Sequence, residues 1–430
     1  MQLIIHRGTH EIGGSCVEIS TKKTRILIDF GMSLVNAKEE KFDSKELIDK
    51  SIEELKKSNI LLNIKGLYNN GEKAIDGILI SHAHMDHYGF LNYVHKDIPI
   101  YMSKGADELI KISSIFTPNK LSKINSKIIN KKYFNIGDIK VTPYLVDHSA
   151  FDALAFLIEA SGKRLFYSGD FRGHGRKRTL FNQILENPPK DIDCLLMEGS
   201  MLGRGDQKYE DEAAIEKKIA GILKSANSIT FLFASSQNID RLVSAYKACL
   251  RTSSIFVIDI YIAYILDRLR KVSKHIPQFN WRNIRIKFYK DQADTLANKV
   301  STQTLYYYNT KKIDIEELKR KKSRILMLSR DNSIFPRIVK ELDNIEGARI
   351  VYSMWDGYLK PDFEEYCAKK GLIIEKVHTS GHATIDDLKA FSDALKPGVL
   401  IPIHTFEAER YPGLFQNVKL LKDGEVFLIS

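Results

Sequence analysis

Helix-like and strand-like patterns alternate through the second half of the chain, and this alternation constrains the fold most. From about residue 205, helical stretches at 209–224 and 238–250 are interleaved with short apolar runs at 228–234 and 254–259. Two later apolar runs, near residues 324 and 349, each lie beside another helical stretch. Strands separated by helices usually pair in parallel, so this region predicts βαβ units around a mainly parallel sheet.

The first two hundred residues have a different pattern. Short alternating strands are punctuated by glycines, which predicts turns, and a similar mixture of strands and helices resumes at 372–430. We therefore predict an α/β protein in which a parallel-sheet domain, residues 205–355, is inserted into a first domain formed by residues 1–204 and 356–430. A Lys- and Glu-rich stretch predicts a helical excursion around residues 44–58.

Composition excludes several classes of protein. The 430 residues are 43% hydrophobic and 28% charged, as in ordinary globular proteins. Four widely spaced cysteines without a CxxC pair argue against a disulfide framework or a thiolate metal site. No signal peptide is visible, and the most apolar run, residues 255–266, is too short to cross a bilayer. We expect a soluble cytoplasmic protein with no membrane partner.

The chain is basic. Its 65 Lys and Arg residues against 54 Asp and Glu give a net charge of +11, which suits an anionic partner such as nucleic acid, an acidic membrane surface or a phosphorylated small molecule. Solubility alone explains such a charge equally well. A basic segment with Arg172, Arg176 and Arg178 would attract a polyanion, and a solvated turn is the alternative interpretation.

Residues 81–89 read Ser-His-Ala-His-Met-Asp-His-Tyr-Gly and follow a predicted buried strand. A strand end and a tight loop can direct His82 and His84 to one side, with Asp86 and His87 facing a neighbouring point. Imidazole and carboxylate ligands without thiolate suit zinc, iron or manganese at a hydrolytic site. One metal would need one more histidine, and two metals would need another histidine and a bridging oxygen ligand.

Three further candidates stand at predicted strand ends, where side chains are held rigidly. They are His148 in Val-Asp-His-Ser, Asp170 in Ser-Gly-Asp-Phe and His404 in Ile-Pro-Ile-His-Thr. Each alone is more often structural than functional. Together with residues 81–89 they predict one site.

This order of motifs, HxHxDH, a strand-end His, Ser-Gly-Asp and a late strand-end His, resembles the metallo-β-lactamase superfamily. The resemblance implies an αββα sandwich holding two Zn²⁺ ions, with Mn²⁺ as the alternative metal. It implies that the first metal is bound by His82, His84 and His148, the second by Asp86, His87 and His404, and that Asp170 bridges them. Asp29, in Ile-Leu-Ile-Asp-Phe-Gly, would orient these ligands through hydrogen bonds.

Further motifs resemble the β-CASP nucleases, the group that includes ribonuclease J. Residues 194–200, Cys-Leu-Leu-Met-Glu-Gly-Ser, resemble motif A with Glu198 as its acid. Residues 378–383, His-Thr-Ser-Gly-His-Ala, resemble motif B with His382, and His404 would be motif C. Residues 231–241 are similar to a strand–turn–helix of the same group. The inserted domain would then be the β-CASP domain.

The sequence also departs from ribonuclease J. His404 is followed by Thr-Phe rather than Gly-Glu, and Met-Trp-Asp-Gly-Tyr at 354–358 replaces glycine-rich phosphate-binding segments. The additional C-terminal domain of ribonuclease J is expected to be missing. Recognition of a 5′-monophosphate, exonucleolytic direction and ribonuclease J-type dimerisation therefore do not follow, and a homo-oligomer is left open.

The resemblance implies a zinc-dependent ribonuclease of RNA processing that leaves 5′-phosphate products, with RNA favoured over DNA. The predicted catalytic residues are Asp86, Asp170, Glu198 and His382, with His382 as the proton donor to the leaving oxygen. The predicted substrate contacts are His378, Ser380, Gly381, Ser235, Ser236, Arg241, Arg172, Arg176 and Arg178. The alternatives are a DNA nuclease of the same group, a small ester or thioester hydrolase, and an RNA-binding scaffold without activity.

Overall fold

The computed structural model describes residues 1–35, 42, 47, 50–117, 121, 124–204 and 209–430. Most of the first half of the predicted helical excursion at 44–58 lies outside these residues, as does the start of the predicted inserted domain at 205. The described strands are β1 (Gln2–Arg7), β2 (Cys16–Ser20), β3 (Arg25–Ile28), β4 (Gly77–Leu79), β5 (Ile100–Met102), β6 (Ser126–Ile128), β7 (Phe134–Ile136), β8 (Ile139–Leu145), β9 (Leu154–Ala160), β10 (Lys163–Tyr167), β11 (Cys194–Glu198), β12 (Thr230–Phe233), β13 (Ile255–Asp259), β14 (Ile284–Lys287), β15 (Ile325–Ser329), β16 (Arg349–Tyr352), β17 (Ile373–Lys376), β18 (Val399–Ile403) and β19 (Val426–Leu428).

Two of the α-helices, Glu212–Lys224 and Ile239–Thr252, lie close to the stretches predicted at 209–224 and 238–250. The described α-helices are α1 (Ile52–Lys57), α2 (Met85–Tyr88), α3 (Lys104–Phe116), α4 (Arg178–Glu186), α5 (Glu212–Lys224), α6 (Ile239–Thr252), α7 (Ile260–Leu269), α8 (Lys290–Lys299), α9 (Thr302–Asn309), α10 (Ile315–Arg320), α11 (Ile334–Leu342), α12 (Pro361–Lys369) and α13 (Ile385–Leu395). In the part of the chain that the structure describes, no helix is both long and apolar enough to pass through a bilayer.

Two mixed sheets form a sandwich. The first has the strand order β19-β1-β2-β3-β4-β5-β6 and the second the order β18-β11-β10-β9-β8-β7. Their facing side chains, such as Ile19 and Ile28 from one sheet and Ile158 and Leu165 from the other, share one buried core. Helix α3 packs on the outer face of the first sheet, and α4 and α13 on that of the second. The predicted αββα layering is confirmed.

A third sheet of six strands is parallel throughout, in the order β14-β13-β15-β12-β16-β17. This confirms the parallel sheet predicted from the alternation of helices and strands. The sheet extends past the predicted domain boundary at residue 355, because β17 pairs with β16 in the register Arg349 to Ile373. A short edge strand such as β17 carries little pattern of its own, so the sequence does not reveal which sheet it joins.

The parallel-sheet region packs against the sandwich beside the loops that follow its strands. Helix α3 contacts α7, and the Arg268 guanidinium pairs with the Glu108 carboxylate at 2.8 Å. Ala150, two residues after His148, forms a β-bridge with Asn238 at the start of α6. The inserted region is therefore anchored next to the predicted site.

Candidate metal centre

A buried aspartate, Asp29, connects the ends of three strands through hydrogen bonds. Asp29 follows β3 with a left-handed backbone, φ 59°. Its carboxylate accepts hydrogen bonds from the Ser81 backbone N–H and hydroxyl, each at 2.7 Å, and from the Tyr167 hydroxyl at 2.8 Å. His87 Nδ1 donates to the same carboxylate at 2.8 Å. The His87 ring is therefore fixed with Nε2 turned away from Asp29, which is the orienting contact that we expected of this residue.

Helix α2 lies against the chain that follows β3. The Phe30 N–H donates to the His87 carbonyl at 2.8 Å, and the Met32 N–H to the Met85 carbonyl at 3.0 Å. Between them, a Cβ atom on Gly31 would lie only 1.6 Å from the Asp86 carbonyl oxygen. Only glycine allows this approach, and the approach sets the position of Asp86 and His87.

Three imidazole nitrogens converge at one point. His84 Nδ1 lies 3.2 Å from His82 Nε2 and 3.3 Å from His148 Nε2. His148 Nδ1 donates to the Gly381 carbonyl at 2.5 Å, so the lone pair of this ring is on Nε2. The Ser81 hydroxyl, which donates to Asp29, accepts from His82 Nδ1 at 3.0 Å, which leaves the His82 lone pair on Nε2 as well.

The charge state of these rings suits a cation. Burial lowers the pKa of His82 and His148 well below the usual value and lowers the pKa of His84 to about 4. All three imidazoles are thus neutral near pH 7. Neutral rings with converging lone pairs bind a metal ion readily, whereas protonated rings would repel it.

A second group lies beside the first. His404 leaves β18 with φ 56°, and its Nδ1 lies 2.9 Å from the Ser15 hydroxyl. Asp86 Oδ2 is 3.7 Å from both His87 Nε2 and His404 Nε2. The ligand atoms of Asp86, His87 and His404 lie within 4.8 Å of one another. The predicted second group therefore comes together from β18 and the start of α2.

One carboxylate oxygen faces both groups. Asp170 Oδ2 is 3.3 Å from His87 Nε2, and it also lies 3.6 Å from His82 Nε2 and 3.6 Å from His404 Nε2. Burial alone would raise the pKa of Asp170, but the surrounding histidines, His404 first, hold it well below its usual value. Asp170 is therefore an ionised carboxylate between two sets of imidazoles.

Among the described residues, three buried polar atoms of the cluster make no well-formed hydrogen bond, although two of them, Asp170 Oδ2 and His87 Nε2, are 3.3 Å apart. Asp170 Oδ2, His87 Nε2 and His404 Nε2 have no hydrogen-bond partner among the described residues. Such atoms are rare in folded proteins because each loses its hydration without compensation. A nitrogen- and oxygen-rich cluster with three unsatisfied inward-facing atoms fits divalent metal ions.

A second carboxylate–histidine pair borders the cluster. Glu198, buried at the end of β11, accepts the Phe171 N–H at 3.0 Å and the Ser200 N–H at 3.2 Å. Its Oε2 is 3.1 Å from His382 Nδ1. Burial opposes protonation of His382, but Glu198 and Asp170 outweigh it and raise the pKa of His382 to about 8. The pair lies beside the metal-type ligands, since the rings of His382 and His148 are 5.1 Å apart.

Comparison with known proteins agrees with this geometry. Residues 47–214 match the family model described as a β-lactamase superfamily domain. An RNase J-like protein of Methanocaldococcus jannaschii is 25% identical over 66% of this chain and 63% of its own length. Ribonuclease J of Helicobacter pylori (strain B128) is 23% identical over 92% of this chain and 55% of its own. The chain is thus similar to the metallo-β-lactamase superfamily, through the domain match at residues 47–214 and through distant homology to these proteins.

Within the superfamily, the chain is a distant homologue of ribonuclease J and RNase J-like proteins. It spans about half the length of the curated relatives that it matches. A crystal structure of a protein of unknown function from Enterococcus faecalis V583 shares the fold, with a TM-score of 0.78, 22% identity and 99% coverage of both chains.

The predicted substrate contacts divide into two groups. Ser380 and Gly381 lie at the cluster: the Ser380 hydroxyl accepts the His382 N–H at 3.0 Å, and the Gly381 carbonyl holds His148. His378 instead lies beside Arg241, where burial first and that guanidinium second lower its pKa to about 4. Motif B therefore positions metal-type ligands at one end and contacts the inserted region at the other.

Three predicted substrate arginines form ion pairs within the fold, which argues against their role as substrate contacts. Arg172 is fully buried and pairs with Asp147 at 3.1 Å and Asp240 at 2.7 Å. The ion pairs of the other two are Arg241 with Glu212 at 3.0 Å and Arg176 with Glu216 at 2.6 Å. A guanidinium group that pairs with a buried carboxylate is not available to a phosphate. Within the basic segment Arg178 is the arginine that is exposed.

The serines before α6 have structural roles in part. Ser235 is exposed at the end of β12, whereas the Ser236 hydroxyl accepts two N–H groups of Arg330, at 2.5 and 3.0 Å. The N-cap of α6 is Asn238, which accepts the Arg241 N–H at 3.0 Å.

Some positioning residues were not predicted. Tyr167 holds Asp29, Ser15 holds His404, and Asp147 connects to the site through Arg172, which donates to the Ser380 carbonyl at 2.9 Å. Asp147 directly precedes His148, so a charged neighbour of a motif residue was an available signal. Ser15 and Tyr167 carry no comparable sequence signal.

Proposed function

We propose that the chain is a metal-dependent phosphodiesterase that hydrolyses RNA. The observation that carries the proposal is the buried cluster of imidazoles and carboxylates with three unsatisfied inward-facing atoms, bordered by the Glu198–His382 pair. The similarity to proteins named ribonuclease J supports a nucleic acid as the substrate, and the net charge of +11 agrees with a polyanion.

The cluster offers ligands for two divalent cations. One would be held by His82, His84 and His148 and the other by Asp86, His87 and His404, with Asp170 between them. When bound, two such ions supply a nucleophile near neutral pH and neutralise charge that develops on a phosphodiester. Zinc suits a donor set dominated by histidine, and manganese is the alternative.

Side chains of the protein itself would hold and donate the protons of the reaction. Glu198 occupies Nδ1 of His382, so Nε2 is the atom that gives a proton to the leaving 3′-oxygen. A pKa of about 8 keeps this imidazole protonated at neutral pH. Asp170 and Asp86 supply negative charge at the centre of the cluster, and Asp29 keeps His87 in one orientation. A proton given to the 3′-oxygen leaves the phosphate on the 5′ side of the product.

The test uses RNA and DNA oligonucleotides of one sequence, labelled at either end and incubated with zinc- or manganese-loaded protein. We expect RNA products with 5′-phosphate ends and complete loss of cleavage with a chelator. Faster cleavage of DNA than RNA would replace the proposal by a DNA nuclease of the same group. Absence of cleavage of both strands by metal-loaded protein would contradict it.

A further inference from the structure

Exposed apolar and aromatic side chains lie beside Asp86 and beside the turn that follows Glu198. Trp355 and Tyr358 are 46% and 49% exposed, in the segment that follows β16. Leu34 is also exposed, and it lies beside Asp86, since a Cβ on Gly13 would be 2.7 Å from Leu34 and 3.1 Å from Asp86. Trp355 and Tyr358 are exposed as an adjacent pair, and exposed aromatic rings beside a positive charge form a surface on which nucleobases can stack.

The rings of Trp355 and Tyr358 are perpendicular to each other, and the Arg204 guanidinium lies over the Trp355 ring. The two rings are 5.3 Å apart at an angle of 90°, and the Arg204 guanidinium carbon lies 4.9 Å from the centre of the Trp355 ring. Arg204 belongs to the turn after β11, the strand that ends in Glu198. We call Arg204, Trp355 and Tyr358 the aromatic corner. The aromatic corner thus combines exposed aromatic surface, on which a base can stack, with a positive charge that attracts a phosphate.

The corner faces the predicted reaction site. Arg204 lies in the turn that follows Glu198, and the Ser200 hydroxyl of that turn donates to the His404 carbonyl at 3.2 Å. Met201 of the same turn accepts the Ser380 hydroxyl at its sulfur at 3.1 Å, two residues before His382. A nucleotide on the corner would therefore be next to the scissile phosphate.

The backbone holds the corner in place. A Cβ on Gly357 would lie 2.4 Å from two ring carbons of Trp355, so the indole rests directly on this glycine. The position of the ring is thus set by main-chain contact, and the ring does not need to be ordered when a base arrives. Such preorganisation favours binding.

We propose that the aromatic corner stacks an unpaired nucleobase next to the scissile phosphate and so selects single-stranded nucleic acid. This inference rests on the proposed function and adds to it the part of the substrate that is recognised. A base in a duplex is already stacked and paired, and it cannot offer its face to Trp355. An abasic backbone carries phosphates that can pair with Arg204, but it has no base that can stack on Trp355.

Intrinsic fluorescence gives the direct test, because the protein has two tryptophans. The other one, Trp281, packs against Tyr246 with ring centres 5.5 Å apart. In the Trp281→Phe variant, stopped-flow mixing with a 12-residue oligouridylate should quench the emission before turnover. The same length of abasic backbone or a blunt RNA duplex should leave it unchanged. In the Trp355→Phe variant, oligouridylate should leave the remaining emission unchanged.

Steady-state kinetics provide the second readout. Trp355→Ala should raise KM for oligouridylate about 5- to 100-fold, the usual effect of losing one stacked base, and Trp355→Phe should restore most of it. Gly357→Ala, which displaces the indole without removing it, should act in the same direction. The matched control is Gly413→Ala, where the added Cβ meets nothing within 4 Å, and KM should not change.

The two proposals fail differently. An unchanged KM in Trp355→Ala, or equal quenching by oligouridylate and abasic backbone, would contradict base stacking on the aromatic corner. Neither result would affect the proposal that the protein cleaves RNA. Quenching by oligouridylate without cleavage of any RNA or DNA by metal-loaded protein would support the corner as a binding site and overturn the nuclease.

Discussion

Two buried sets of charged side chains lie next to each other in this protein, and they differ in how their polar atoms are satisfied. The metal-type cluster leaves Asp170 Oδ2, His87 Nε2 and His404 Nε2 without hydrogen-bond partners among the described residues. The arginine network, by which we mean Arg172 and Arg241 with their acidic partners, instead directs its guanidinium groups at carboxylates and carbonyl oxygens.

The sequence motifs placed residues of both sets in the functional site. The two sets differ in whether their buried polar atoms already have partners. A buried ion pair that satisfies itself contributes to the scaffold, and removing one partner leaves an unpaired charge. A buried polar atom with no partner costs free energy unless something else binds it. The comparison predicts that substitutions in the cluster change activity and metal content, whereas substitutions in the arginine network change stability.

The largest effect should come from His382. Replacing it with alanine removes the proposed proton donor, and we expect turnover to fall about 10²- to 10⁴-fold. Bound metal and the unfolding midpoint should stay unchanged. The control is His10→Ala, a half-exposed histidine that pairs with Glu409 at 3.3 Å and should keep full activity. Stoichiometric loss of metal from His382→Ala would show that this residue is a ligand instead.

The second-largest effect is expected on stability, in the arginine network. Arg241→Leu should lower the free energy of unfolding by about 3 kcal/mol, because the buried Glu212 carboxylate loses its bidentate partner and keeps only the Ser244 hydroxyl at 2.6 Å and the Arg172 guanidinium at 3.7 Å. Urea unfolding of metal-free protein measures this difference. Adding Glu212→Leu should recover part of the loss. A cost in metal-free Asp170→Asn that equals the cost in Arg241→Leu would remove the distinction between the two sets.

Acid should weaken the network in a defined range of pH. Burial alone would raise the pKa of Glu212, but Arg241 outweighs it and lowers the pKa to about 2, from 4.5 in an unperturbed side chain. The ionised form thus stabilises the fold above about pH 4.5, and this contribution, about 3 kcal/mol, is lost as the pH falls towards 2. The stability difference between the protein and Glu212→Gln should therefore shrink over that range. A difference that does not vary between pH 6 and 3 would contradict the assignment.

The smallest effect separates two neighbouring arginines. Arg176 pairs with Glu216 at 2.6 Å, whereas Arg178 is exposed. We expect Arg176→Gln to leave the salt dependence of RNA binding unchanged. If Arg178 contacts a phosphate, Arg178→Gln should reduce the slope of log K against log salt by about 0.7. A flatter slope in Arg176→Gln would place that residue on the substrate after all.

The sequence was sufficient to predict the fold and the gathering of the cluster. The alternation of strands and helices predicted the parallel sheet, and the resemblance to the metallo-β-lactamase superfamily implied the sandwich and the gathering of His148, Asp170 and His404 at the loop 81–89. The exception is β17, whose sheet is decided by tertiary pairing with β16. The assignment of these residues as ligands to specific metals stays a prediction, as do the cytoplasmic location and the oligomeric state.

The arginines show what a local sequence pattern does not reveal. Arg172, Arg176 and Arg178 form a basic segment in sequence, yet the acidic partners of the first two come from distant positions. Asp240 and Glu216, for example, belong to α6 and α5 of the inserted region. Charge in a local window cannot reveal a partner that only the tertiary fold supplies.

The central claim is that the unsatisfied atoms of the cluster bind metal ions, and direct metal analysis tests it. Protein loaded with zinc or manganese, desalted and measured by inductively coupled plasma mass spectrometry, should contain about two ions per chain. Asp170→Ala, which removes the carboxylate between the two groups, should lose most of them, whereas Arg178→Gln should keep both. Wild-type protein that binds no zinc or manganese, or Asp170→Ala protein that retains the full complement, would contradict the account.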